Sequence, residues 1–169
     1  VTVFTGTIPT ISAGDTTTVP TNLATYRDAL KGASEAWTSY TPTWTAASVN
    51  PVLNNGSFTG SAYARINKLV IFRIVLTMGS TTTYGTGAWR LTLPVTPLTA
   101  AGRVTFPMSI ADFGTGFYRG EAIINLAPYF ELFCDPTTAG NTMRSVGTGI
   151  PHSWAVSDTL IISGAYESA

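Results

Sequence analysis

Glu35-Ala36-Trp37-Thr38-Ser39-Tyr40-Thr41-Pro42-Thr43-Trp44-Thr45 is the stretch at which the periodicity of this chain changes. Before it, apolar residues recur at spacings of three and four; after it, they alternate. Tyr40, Pro42 and Trp44 fall on one face of a strand. Pro42 has no N–H to give to a ladder, so that strand belongs at the edge or the start of a sheet. The joint divides the chain into residues 1–37 and a β-domain over 38–169.

Upstream, Pro20 suits the first turn of a helix, where its missing N–H costs nothing. Leu23, Tyr26, Leu30, Ala33 and Trp37 then form a narrow apolar stripe on one amphipathic helix. Two heptads rarely sustain a coiled coil alone. The stripe therefore either packs on the β-domain or docks and oligomerises the chain, as a homotrimer or another symmetric assembly. Residues 1–19, rich in threonine, form an extended arm that is either loose or added as a strand to a partner.

Downstream, strands are expected over 39–45, 57–66, 69–78, 89–93, 101–113, 117–126, 129–134, 154–156 and 158–166. Asn67-Lys68 suits a tight hairpin turn. Leu69–Met78 is apolar on both faces, which places it inside a sandwich or under a subunit contact. Short antiparallel strands separated by turn signals indicate an all-β fold, read as a jelly-roll-like antiparallel β-sandwich preceded by the arm and helix.

Composition narrows the function. Charged residues make up 11% of the chain, against about 25% in ordinary soluble proteins. Nine basic and nine acidic residues cancel, so there is no electrostatic footprint for nucleic acid or an anionic membrane. A surface so poor in charge points to life in an assembly. The longest apolar run is too short to span a bilayer, and no secretory signal opens the sequence, which suits a product made in a host cytoplasm.

No reaction chemistry is visible, and the expectation is a protein that is not an enzyme, with no cofactor and no metal. Cys134 is the only cysteine and sits in an apolar run, where a thiol is usually inert. His152 is the only histidine; with no nucleophile elbow, it is expected to be a satisfied or solvated loop residue. A mixed or carboxylate-only metal site is left open by composition. Glu131 has the most apolar setting of the carboxylates, with Arg119 or Arg144 as its expected partner. Among the aromatics Tyr40, Trp44, Tyr84, Trp89 and Trp154, the alternative to burial is a sugar-stacking platform, with Trp89 and Trp154 as its main members.

The run Tyr26-Arg27-Asp28-x-Leu30, Trp37 and Tyr40-Thr41-Pro42-Thr43-Trp44-Thr45 resembles a segment of tailed-bacteriophage structural proteins, like those of phages of actinobacteria. So do Asn55-Gly56, Gly60, Tyr63-x-Arg65-x-x-Lys68-x-Val70-x-Phe72, Gly79-Ser80-Thr81-Thr82-x-Tyr84-Gly85-x-Gly87, Leu91-x-Leu93-Pro94 and a closing Ile162-Ser163-Gly164-x-Tyr166-Glu167. The family's turn is often Gly-Lys; Asn67 stands in for that glycine here. The resemblance implies a non-enzymatic, oligomeric virion surface protein, with capsid or tail proteins as partners. Two placements follow: a capsid decoration or head-fibre-like protein held by its N-terminus, or a tail fibre or minor tail protein that binds host-surface carbohydrate. Neither inserts in a membrane.

Overall fold

The computed structural model describes residues 37–99, 102–125, 127–135 and 142–169. The chain divides into two units between Glu35 and Ala36. The stripe residues Leu23, Tyr26, Leu30 and Ala33, and the arm, lie outside the described residues.

The described part is all-β and antiparallel, with no α-helix among the described residues. Its strands are β1 (Thr38–Ser39), β2 (Trp44–Ala46), β3 (Ala62–Ile66), β4 (Leu69–Thr77), β5 (Trp89–Thr92), β6 (Val104–Asp112), β7 (Gly116–Ile124), β8 (Tyr129–Cys134), β9 (Arg144–Ser145) and β10 (Thr159–Glu167). Hydrogen bonds join them in one path, β1-β3-β4-β10-β6-β7-β8-β5-β2, with β9 on β8. Within it, β6, β7 and β8 form a meander and β5 returns beside β8, a Greek-key order.

β4 is the centre of the core. Val70, Phe72, Ile74 and Leu76 point inward and are fully buried, while Leu69, Ile71 and Val75 make the other face apolar as well. Asn67 takes the left-handed conformation expected of the β3–β4 turn, with φ 56°. Phe72 lies 5.1 Å from Phe106 and 5.0 Å from Phe130, so rings from β4, β6 and β8 meet in the interior. Gly164 makes room for them: a Cβ there would sit 2.3 Å from the Phe106 ring.

Two expected strands resolve differently. The joint is not one strand over 39–45 but two short ones at opposite margins of the sheet. β1 pairs with β3, β2 pairs with β5, and only Tyr40–Thr43 lies between them. About 17 Å of extended chain covers that gap, so the sheet must curl until its margins meet. Tyr40 fastens the seam. Its N–H donates to the Ser61 carbonyl, and its hydroxyl lies 2.7 Å from both the carbonyl and Oγ1 of Thr92. Pro42, with no donor, occupies the crossing where no ladder needs one. Residues 154–156 are loop, and β9 forms instead at Arg144–Ser145, outside the expected strands.

β10 pairs with β4 from Thr159↔Thr77 to Glu167↔Leu69, but with β6 only as far as Ile162↔Met108. The freed end of β10 is tied by residues 95–98. The Tyr166 hydroxyl donates to the Val95 carbonyl at 2.6 Å and accepts from the Val95 N–H at 3.1 Å, and Leu98 N–H donates to the Glu167 carbonyl. Burial pushes the Tyr166 hydroxyl up to about 12, whereas an unfolded tyrosine titrates near 10. The folded chain then holds a proton that the unfolded chain has lost. The Tyr166 contribution is full below about pH 10 and falls as pH rises toward 12, by up to about 3 kcal/mol. Denaturation midpoints measured across that range should show the loss, and Tyr166→Phe should lessen it.

Candidate functional site

Four of the five aromatics singled out in the sequence, Trp44, Tyr84, Trp89 and Trp154, come together, but as core. Trp44 meets Trp89 edge-on at 4.7 Å, Trp89 meets Trp154 at 4.8 Å, Trp154 meets His152 at 4.7 Å, and His152 stacks on Tyr118 at 5.1 Å and 10°. Trp89 has no exposed surface, and its Nε1–H donates to the Tyr84 carbonyl at 3.0 Å. Trp154 is 7% exposed and its Nε1–H donates to the Gly147 carbonyl. The sugar-stacking expectation for Trp89 and Trp154 is thereby corrected: their faces are covered by other rings, leaving none for a pyranose. Trp37 is the exposed tryptophan, with 55% of its surface open and the Arg73 guanidinium 5.9 Å from its ring centroid.

The aromatic column ends at the most polar point of the interior. Asp158 is 1% exposed, and its carboxylate accepts from Phe113 N–H (2.9 Å), Ala155 N–H (2.7 Å) and His152 Nε2 (2.9 Å). Burial by itself would raise its pKa; these bonds and the His152 charge outweigh burial and hold the carboxyl below the usual value. The site is assembled from three places in the chain. Phe113 opens the β6–β7 turn, Ala155 and His152 belong to the loop before β10, and Tyr118 is on β7. His152 is 8% exposed, and its Nδ1 is buried without a partner. Asp112, at the end of β6, brings a second carboxylate, and one donor atom from each of Asp112, His152 and Asp158 lies within 4.8 Å of the other two. Beside the cluster Phe113, in the turn, and Phe117, near the start of β7, stand outward, 73% and 81% exposed.

A second feature is an open cleft of about 420 Å³ on β6 and β7, lined by Thr105, Pro107, Arg119, Glu121, Asp135 and Met143 among others. Its size is that of a small-molecule pocket. Glu131 lies elsewhere, directly across from Arg90 in the ladder, so neither Arg119 nor Arg144 is its register partner. Cys134 is buried, and desolvation together with the Asp135 charge pushes its thiol up to about 11. A thiol so disfavoured as thiolate is a poor nucleophile at neutral pH.

The glycine-rich motif 79–87 has a structural job. Asn55 Oδ1 accepts from the Thr81 N–H and hydroxyl, Asn55 Nδ2 donates to Ser80 Oγ, and Thr82 Oγ1 bridges Gly79 N–H and the Leu53 carbonyl. A Cβ on Gly79 would lie 2.2 Å from Asn55 Oδ1, so only glycine fits under that clasp.

Compared with known proteins, the chain matches no family model, and no curated protein and no solved structure resembles it significantly. No helix among the described residues is long and apolar enough to cross a membrane.

Proposed function

We propose that this chain is a non-enzymatic accessory surface protein of a phage virion, a capsid decoration or head-fibre-like protein. In this reading a jelly-roll-like domain is displayed outward, and residues 1–37 attach it to capsid or tail proteins and to further copies of itself. The observation that carries the reading is the clasp between residues 53–55 and 79–82. Asn55, Gly79, Ser80, Thr81 and Thr82 belong to the residues that resemble phage structural modules, and they serve framework geometry. The exposed Trp37, at the point where the attachment segment joins the domain, supports the same division of labour.

Removing residues 1–36 from the protein in its phage should abolish incorporation into particles, while the remaining domain keeps a cooperative thermal transition. Particle composition by mass spectrometry and calorimetry of the truncated chain check the two halves. Unchanged incorporation refutes the attachment role. The second reading, a tail protein binding host-surface carbohydrate, draws support from the polar cleft around Arg119, Glu121 and Asp135.

A further inference from the structure

Asp112 at the end of β6 and His152 and Asp158 in the loop before β10 meet at one end of the sheet, with donor atoms converging to within 4.8 Å. We propose that they form a binding site for a first-row divalent cation of the zinc class. This rests on side-chain geometry and is independent of the virion reading.

The ligand set decides the class of ion. One imidazole with two carboxylates suits a borderline metal such as Zn²⁺, whereas Ca²⁺ asks for six or more oxygens and no nitrogen. His152 Nε2 and Asp158 Oδ2 are 2.9 Å apart. Ligands about 2.1 Å from a tetrahedral ion stand about 3.4 Å apart. The pair needs to part by about half an ångström, giving up its hydrogen bond, to share one. Asp112 is half-buried and closes the site from the side of the β6–β7 turn.

Charge points the same way. Asp112 and Asp158 bring two carboxylates to one point, and among the described residues His152 is the one cationisable side chain that pairs with Asp158. A divalent cation would compensate both carboxylates.

The ligands are also held in place. Tyr118 and Trp154 fix the His152 ring on both sides, and the N–H groups of Phe113 and Ala155 orient Asp158. Such outer contacts set the direction of metal ligands. Each Asp158 oxygen offers two acceptor positions, so Oδ1, with one N–H bond, has a lone pair free. On binding, the cation takes the place of the Nε2–H···Oδ2 bond. The ring proton moves to Nδ1.

The test uses tag-free, full-length protein stripped with EDTA. Zn²⁺ should bind once per chain by titration calorimetry and raise the melting temperature, with Ca²⁺ at the same concentration doing neither. Co²⁺ should give the visible absorption of a nitrogen- and oxygen-ligated ion. Asp112→Asn should weaken Zn²⁺ binding at least tenfold while the metal-free protein stays folded, since its carboxylate takes part in no hydrogen bond among the described residues. His152→Gln should abolish the Co²⁺ spectrum. Absence of a Zn²⁺ effect on the wild-type protein, or wild-type binding by Asp112→Asn, overturns the proposal.

Discussion

Replacing Trp89 by alanine should cost about 3–5 kcal/mol, the range for deleting a large aromatic from a closed core. The side chain has no exposed surface and is the middle of the column, touching Trp44, Trp154 and Tyr84. Its loss opens a cavity between rings and leaves the Tyr84 carbonyl without the indole donor. Against a total stability of about 5–15 kcal/mol for a domain, the variant should be marginal or unfolded in chemical denaturation. The same measurement separates the two roles considered for this residue. A sugar-stacking tryptophan would lose binding and leave the fold intact; a core tryptophan loses the fold.

Asp158→Asn should destabilise by about 2–4 kcal/mol, although the shape hardly changes. Three N–H donors converge on the carboxylate from both oxygens' sides. An amide presents one NH₂ to them in either orientation, so a donor must face a donor. Turned one way, Phe113 N–H is orphaned; turned the other way, Ala155 N–H is, and His152 must switch tautomer to accept from the amide. Amide hydrogen exchange should quicken at Phe113 and Ala155 before it does along β4. Unchanged exchange at those two amides would show that the carboxylate is not what holds the β6–β7 turn to the loop before β10.

The strands that the sequence made legible are those with clean alternation and one buried face. Leu69–Thr77 and Tyr129–Cys134 stand within a residue of expectation, because inward Val70, Phe72, Ile74 and Leu76, or Phe130, Leu132 and Cys134, repeat every second position. Ser57–Ile66 was less legible. Gly60, at φ 88°, interrupts the alternation, Ser57 keeps only a single bridge to Thr77, and β3 proper begins at Ala62. The joint misleads for a different reason. Alternation places Pro42 and Trp44 inward correctly, but cannot reveal that the chain changes sheet margin between them. The polar cluster left no trace in sequence spacing. Asp112 and Asp158 are brought together by the β6–β10 pairing Thr159↔Ala111, a contact between residues 48 positions apart. Trp89 and Trp154 carried an ambiguous signal, since an aromatic on a strand reads alike whether it faces a core or a ligand.

The seam at Tyr40 has a mechanical consequence. A pull on the chain upstream of Trp37 enters the domain at β1, which is held by two residue pairs, Thr38↔Tyr63 and Ser39↔Ala62. Next in line stand the Tyr40 and Thr43 bonds to Thr92, and then the three pairs of β2. The β4–β10 ladder, continuous from Thr77 to Leu69, is far longer than any of these. Tension is therefore released by unzipping a short selvedge, one bond at a time, while the woven centre stays whole. A domain tethered by this end would give under shear by a few residues and recoil when the load is removed.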